Sequence, residues 1–101
     1  MNTSSQAQEL DAITKKIIGS AFNVGNELGT GFLEKVYENS LVLELKKNNL
    51  EVKQQHPIKI KYQGTVVGDY VCDLLINNSV IVEIKSVRLL DSAHMAQALI
   101  I

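Results

Sequence analysis

The chain has a single cysteine, Cys72, among 101 residues, so an internal disulfide is excluded and a disulfide-stapled scaffold is not expected. No stretch joins a basic start to an apolar run and a small-residue cleavage site, which makes the expected location cytoplasmic. Uninterrupted apolar runs also fall short of the roughly 18 residues of a membrane span, because Asn23, Asn26, Asp73 and Glu83 break the longest candidates, and no membrane partner is expected. Charge of one sign is missing too. The net charge is −1, the lysines are spread from Lys15 to Lys85, and no basic block occurs, so composition gives no support to a dedicated nucleic-acid binder. Internal repeats and low-complexity segments are absent.

What is present is a globular balance. Hydrophobic residues make up 46% and charged residues 21%, which disfavours disordered and collagen-like classes. The length suits one domain over residues 1–101 with one core, since compact chains of this size bury about two-thirds of their unfolded surface. Residues 1–6 read as a flexible tail.

Ser4 and Ser5 can cap a first helix, and Leu10, Ile13, Ile17, Ala21, Val24 and Leu28 recur at intervals of three and four, which predicts a helix over residues 7–28. Gly29-Thr30-Gly31 interrupts it. A second periodic segment follows, with Leu33, Val36, Tyr37, Ser40, Leu41 and Leu45 on one side and Lys35, Glu38, Lys46 and Lys47 elsewhere, ending at Asn48-Asn49. From Glu51 the period becomes two: Val52, Ile58, Ile60 and Tyr62 alternate with lysines, and His56-Pro57 is expected to separate two short extended pieces. Gln63-Gly64 signals a hairpin into a long strand over residues 65–76, in which Gly68 marks a possible bulge. After Asn77-Asn78-Ser79 comes the most apolar strand, residues 80–85, whose β-branched residues on both faces suggest helices on both sides of the sheet. Asp91 or Ser92 should open a last helix that reaches Ile101. The expected fold class is therefore α/β of the α+β kind, with two helices, three or four antiparallel strands and a helix.

Glu83 sits in the middle of that apolar strand, where an ionised carboxylate without a partner costs several kcal/mol to bury. A three-residue Asn77-Asn78-Ser79 loop places Asp73 directly opposite it, about 5 Å away between Cβ atoms, with Lys85 on the same face. A two-residue loop would turn the two acids to opposite faces, because one step of register flips every side chain. Two carboxylates on one face repel, and a hard divalent cation removes that penalty by taking their oxygens at about 2.0–2.1 Å in the case of Mg²⁺. Lys85 would then stand where an ammonium can handle a water aimed at phosphorus and offset charge on the phosphoryl oxygens. The arrangement suits phosphodiester hydrolysis. An enzyme that grips phosphate through a metal also needs fewer cationic side chains, which fits the neutral composition. Glu34, Tyr37 and Leu41 share one face of the second helix, so Glu34 borders the buried stripe, and Gly31 would let the first turn approach the sheet. His94 and Gln97 stand at i and i+3 on the expected last helix.

Gly31-Phe32-Leu33-Glu34-Lys35-Val36-Tyr37 resembles the Gly-x-x-Glu-x-x-Tyr signature of the GxxExxY family, a group within the PD-(D/E)XK nuclease superfamily. The resemblance extends to Asn26-Glu27-Leu28-Gly29, Leu45-Lys46-Lys47, Gln55-His56-Pro57-Ile58, Tyr62-Gln63-Gly64, Gly68, Asp73-Leu74-Leu75, Val82-Glu83-Ile84-Lys85 and the segment from His94 to Gln97, covering about residues 10–101. It implies a restriction-endonuclease-like domain that hydrolyses DNA or RNA with Mg²⁺ or Mn²⁺. Glu34 would be the helix acid, Asp73 the first strand acid and Glu83-Ile84-Lys85 the (D/E)-x-K element. Metal ligands would thus be Asp73, Glu83 and Glu34, with Lys85, Glu34 and Gln97 in catalytic or supporting roles. Gly25 and Thr30 stand where relatives more often carry His and Pro. Relatives usually continue past the last helix into a Gly-rich turn and another strand, so the resemblance implies a sheet lacking a C-terminal strand, with an edge that a second copy of the chain could cover.

Structural readings of the same residues stand beside these. Asp73, Glu83 and Lys85 could form a buried ion-pair network in a catalytically inactive nucleic-acid or protein-binding module, and Glu34 could serve the helix dipole. Tyr37 reads as a core residue with its hydroxyl satisfied, and Cys72 as a small buried hydrophobe facing away from Asp73. Gly29-Thr30-Gly31 lacks a following phosphate-loop pattern and is a helix break.

Overall fold

The computed structural model describes residues 3–85 and 96–100. Helix α1 spans Thr3–Leu28 and α2 spans Glu34–Lys47. Strands β1 (Val52–Tyr62), β2 (Thr65–Ile76), β3 (Val80–Ile84) and β4 (Ala96–Ile100) form one antiparallel sheet in the order β1-β2-β3-β4. This is the expected α+β arrangement of two helices followed by antiparallel strands.

The helix break is built by glycine geometry. Gly29 takes φ +73° and its N–H donates to Gly25 O at 2.9 Å, closing α1, while Gly31 takes φ +102°. Both conformations are ones that residues with a Cβ rarely adopt. Open space surrounds the position of a Gly31 Cβ, so this glycine serves the turn and not the close approach to the sheet expected of it. Tyr37 ties the break to α2: its hydroxyl donates to Gly29 O at 2.7 Å and its ring meets Phe32 edge-on at 6.2 Å. At the other end, Asn49 in the left-handed region lets the Leu50 N–H reach Leu45 O and the Asn49 N–H reach Lys46 O, the paired bonds of a Schellman motif.

The core lies between both helices and one face of the sheet. Ile13, Ile17 and Val24 of α1 and Leu41, Val42 and Leu45 of α2 pack on Leu74, Ile76, Val80, Val82 and Ile84. The period-two pattern of β2 and β3 supplies that face, and the other carries a smaller cluster of Cys72, Leu75 and Ile81 with Ile58 against it. Among the described residues both helices lie on the same face, so the expectation of helices on both sides is not met. Cys72 is buried and free, as a small hydrophobe would be, although it joins the smaller cluster instead of Leu74 and Ile76.

Two turns set the register. Gln63 and Gly64 at φ +50° and +80° make the primed turn that matches strand twist. Asn77 and Asn78, both left-handed, sit within the predicted three-residue loop, and β2 meets β3 as Ile76↔Val80, Leu75↔Ile81 and Leu74↔Val82. A bulge between Ile60 and Lys61 falls next to Gly68 on the partner strand.

Three further expectations differ from the structure. First, α1 begins at Thr3, so the residues from Thr3 onward thought to be a tail are helical: Gln6, Ala7, Gln8 and Glu9 are good helix formers, and extending an existing helix is easy once its nucleus is formed. Second, His56-Pro57 does not divide β1, because β1 is an edge strand where a missing proline donor can face solvent. Third, Ala96–Ile100 is a strand where the last helix was expected, pairing with β3 as Glu83↔Gln97 and Val82↔Ala98. Its apolar run gives β3 a second neighbour, and backbone pairing of an apolar strand overrides the helix preference of Ala, Gln and Leu. Asp91, Ser92 and His94 lie outside the described residues.

Candidate active site

The β2–β3 pairs run from Ile76↔Val80 to Leu74↔Val82, the register of a three-residue loop, and end one step short of Asp73 and Glu83. The regular ladder stops there because the Asp73 side chain takes over: its Oδ2 accepts the Ile84 N–H at 2.7 Å. Its Oδ1 accepts from Gln55 Nε2 at 3.2 Å. Opposite, β1 is irregular as well. Gln55 has φ +51°, and the β1–β2 pairs step from Gln54↔Leu74 to His56↔Cys72 without it.

Glu83 is half-buried, and Tyr70 Oη donates to its Oε1 at 2.7 Å. Burial, followed by the charge of Asp73 beside it, raises the Glu83 carboxyl above the usual range against the downward pull of the Tyr70 hydrogen bond. The same bond, with the two carboxylate charges nearby, pushes the Tyr70 phenol up. Asp73 and Glu83 thus stand near each other on neighbouring strands, each held by a different donor.

The second helix contributes differently from expectation. Glu34, the first residue of α2, is exposed, whereas Glu38 one turn later is 3% exposed. Glu38 accepts from Lys35 Nζ at 3.0 Å, Gln54 Nε2 at 2.7 Å and Gln55 Nε2 at 3.1 and 3.2 Å. Since Gln55 also bonds Asp73, its amide links Glu38 to Asp73. With Leu41, Val42 and Leu45, Glu38 makes the buried stripe of α2, at i, i+3, i+4 and i+7.

Lys85, just past β3, is exposed and makes no ion pair or hydrogen bond among the described residues. It lines a cavity of about 290 Å³ between the helices and the end of β3, with Phe22, Val24, Tyr37, Leu41 and Ile84, whose walls include neither Asp73 nor Glu83. The expectation that Lys85 shares a face with the two acids is corrected, because β3 ends at Ile84 and the strict alternation of a strand does not carry on to Lys85. Gln97 lies on β4 in register with Glu83, not on a helix. Glu38, Gln55 and Tyr70 are the residues bonded around the acid pair that the sequence alone does not single out.

Hard carboxylate oxygens from Asp73 and Glu83 fit a divalent cation that keeps most of its waters, as Mg²⁺ does when one or two carboxylates bind it. Among the described residues no group of three or more His, Cys, Asp or Glu side chains converges, so protein ligands beyond this pair are not assembled.

Two helices on one face of an antiparallel sheet, with neighbouring acids on its second and third strands and a lysine two residues beyond the second acid, define a nuclease-like α+β domain. The profile of the PD-(D/E)XK nuclease superfamily matches residues 11–100, and the chain belongs to this superfamily. No curated protein and no solved structure matches it. Divalent metals are typical of the superfamily's nucleases. No helix among the described residues is long and apolar enough to cross a membrane.

Proposed function

We propose that the chain is a Mg²⁺- or Mn²⁺-dependent nuclease that hydrolyses phosphodiester bonds of DNA or RNA, with Asp73 and Glu83 as metal ligands. The observation that carries this reading is the pair of acids on adjacent strands, Asp73 bonded to the Ile84 N–H next to Glu83 and Glu83 bonded by Tyr70, in a chain of this superfamily. A bound divalent ion would supply Lewis-acid polarisation of a phosphoryl oxygen and an activated water. The chain's own residues hold the ligands, Tyr70 and the Ile84 N–H each fixing one oxygen. Lys85 is assigned to orient water and offset phosphoryl charge, a role that requires its long side chain to swing from the helix-side cavity toward the acids. Glu34 is assigned to a water-mediated contact or a second ion, and Gln97 to support of the site from its register position on β4.

The single buried thiol fits a reducing, cytoplasmic location. A homodimer would cover the sheet edge at β4. The test is incubation of purified protein with single- and double-stranded DNA and RNA in Mg²⁺ or Mn²⁺. Cleavage is expected from the native chain and not from Glu83→Ala; undiminished cleavage by the variant would refute the assignment.

A second reading is favoured by the charge of −1 and by the absence, among the described residues, of a third converging ligand. In it the chain is a catalytically silent nucleic-acid or protein-binding module that keeps the acids as a structural network. Nucleic-acid binding without cleavage in any divalent ion would select it.

A further inference from the structure

We infer that Gln55 is a positioning residue: it holds the Asp73 carboxylate at a fixed angle to Glu83 by bracing it against the buried Glu38 of α2. The inference rests on the metal-dependent reading of Asp73 and Glu83.

Asp73 has two oxygens to fix. One is held by the Ile84 N–H at 2.7 Å, and about that single bond the carboxylate could pivot. The second bond, from Gln55 Nε2 to Oδ1 at 3.2 Å, removes the pivot. A primary amide carries two N–H donors, and here they are divided between Asp73 and Glu38. Glu38 is a firm anchor because it is 3% exposed and is also held by Lys35 and Gln54. The reach of Asp73 from the sheet is thereby tied to the position of α2.

The chemistry of the amide matters. A lysine at this position would bridge the same two acids more strongly, but its charge would neutralise Asp73 and compete with a cation for it. A neutral donor orients the carboxylate and leaves its charge for the ion. The backbone supplies a second, independent observation. Gln55 adopts φ +51°, sparsely populated by residues other than glycine, at the one step where the β1–β2 ladder lacks a pair beside Asp73. Strained positions that persist in a fold concentrate at functional sites.

Two variants separate positioning from a structural role. Gln55→Met keeps the length and the left-handed backbone strain but has no donor. Gln55→Gly also has no donor, yet relieves the strain, so the melting temperatures of the two variants should diverge. Titration of native and variant chains with MnCl₂ by isothermal calorimetry should show both variants binding roughly 10–100-fold more weakly than the native chain, by a shared factor. Native affinity in Gln55→Met overturns the inference. So does an affinity that follows melting temperature, with Gln55→Gly near native and Gln55→Met weak. Nuclease assays on the same samples keep the two readings apart: a native chain that binds Mn²⁺ and cleaves nothing sinks the nuclease reading, and the Gln55 inference then stands or falls on the calorimetric ratio. A native chain with no heat of Mn²⁺ binding overturns both.

Discussion

Glu83 has to tolerate a charge that its surroundings oppose, and the direction of that opposition fixes how stability follows pH. Burial and the Asp73 carboxylate raise its folded value above the unfolded one. The contribution of this group to stability is therefore fully present below the unfolded value and is lost as pH rises through the raised folded value. Urea unfolding between pH 4 and 8 should show that Glu83→Gln loses this decline and is the more stable chain at neutral pH without metal; a variant with an unchanged pH slope would contradict the electrostatic account. Tyr70 acts in the opposite sense, since its hydroxyl stabilises the ionised form. In Tyr70→Phe the Glu83 midpoint, followed by NMR on the side-chain carboxyl carbon, should move further up.

Helix α2 shows how far an element could be read from its sequence. Its existence, its ends near Gly31 and Asn48, and the burial of Leu41 and Leu45 followed from spacing. The choice of face did not. Leu33 and Val36 were placed on the buried side and are exposed, at 81% and 37%, while Glu38 lies on the true stripe with Val42. A charged residue on an apolar stripe is discounted by any reading based on hydrophobicity, and its partners Gln54 and Gln55 come from a strand that only the tertiary fold brings near. The β2–β3 register, in contrast, was legible because the length of the Asn77-Asn78-Ser79 loop determines it. The left-handed Gln55 had no local signal, since glutamine carries no preference for positive φ. Packing energies on α2 follow from its observed stripe. Leu45 is fully buried in the main core, so Leu45→Ala should lower unfolding free energy by about 2–5 kcal/mol in denaturant titration. Exposed Leu43 lies off the stripe, and Leu43→Ala should change stability by less than about 0.5 kcal/mol.

At the scale of the molecule, the sheet separates two tasks. One face is sealed by both helices, and Glu83, between the core residues Val82 and Ile84, is half-exposed on the other. With a net charge of −1, the chain offers little general attraction for a polyanion, and metal binding at the acid pair would have to create the local positive field. Binding of that kind must also stabilise the fold, because the unfolded chain does not hold the two acids together. At a free Mn²⁺ concentration 100 times the dissociation constant the gain is about 2.7 kcal/mol, which a thermal scan resolves readily in a domain of this length. Asp73→Ala is a poor control, since it also strips the Ile84 N–H of its acceptor, a loss of about 1–3 kcal/mol if that donor is left unpaired. Asp73→Asn retains an acceptor oxygen for Ile84 and removes the charge. The native chain should therefore melt higher as MnCl₂ is added and Asp73→Asn should not, while the two chains remain similarly folded without metal. Equal stabilisation of both by Mn²⁺ would place the ion elsewhere on the surface and separate the acid pair from metal chemistry.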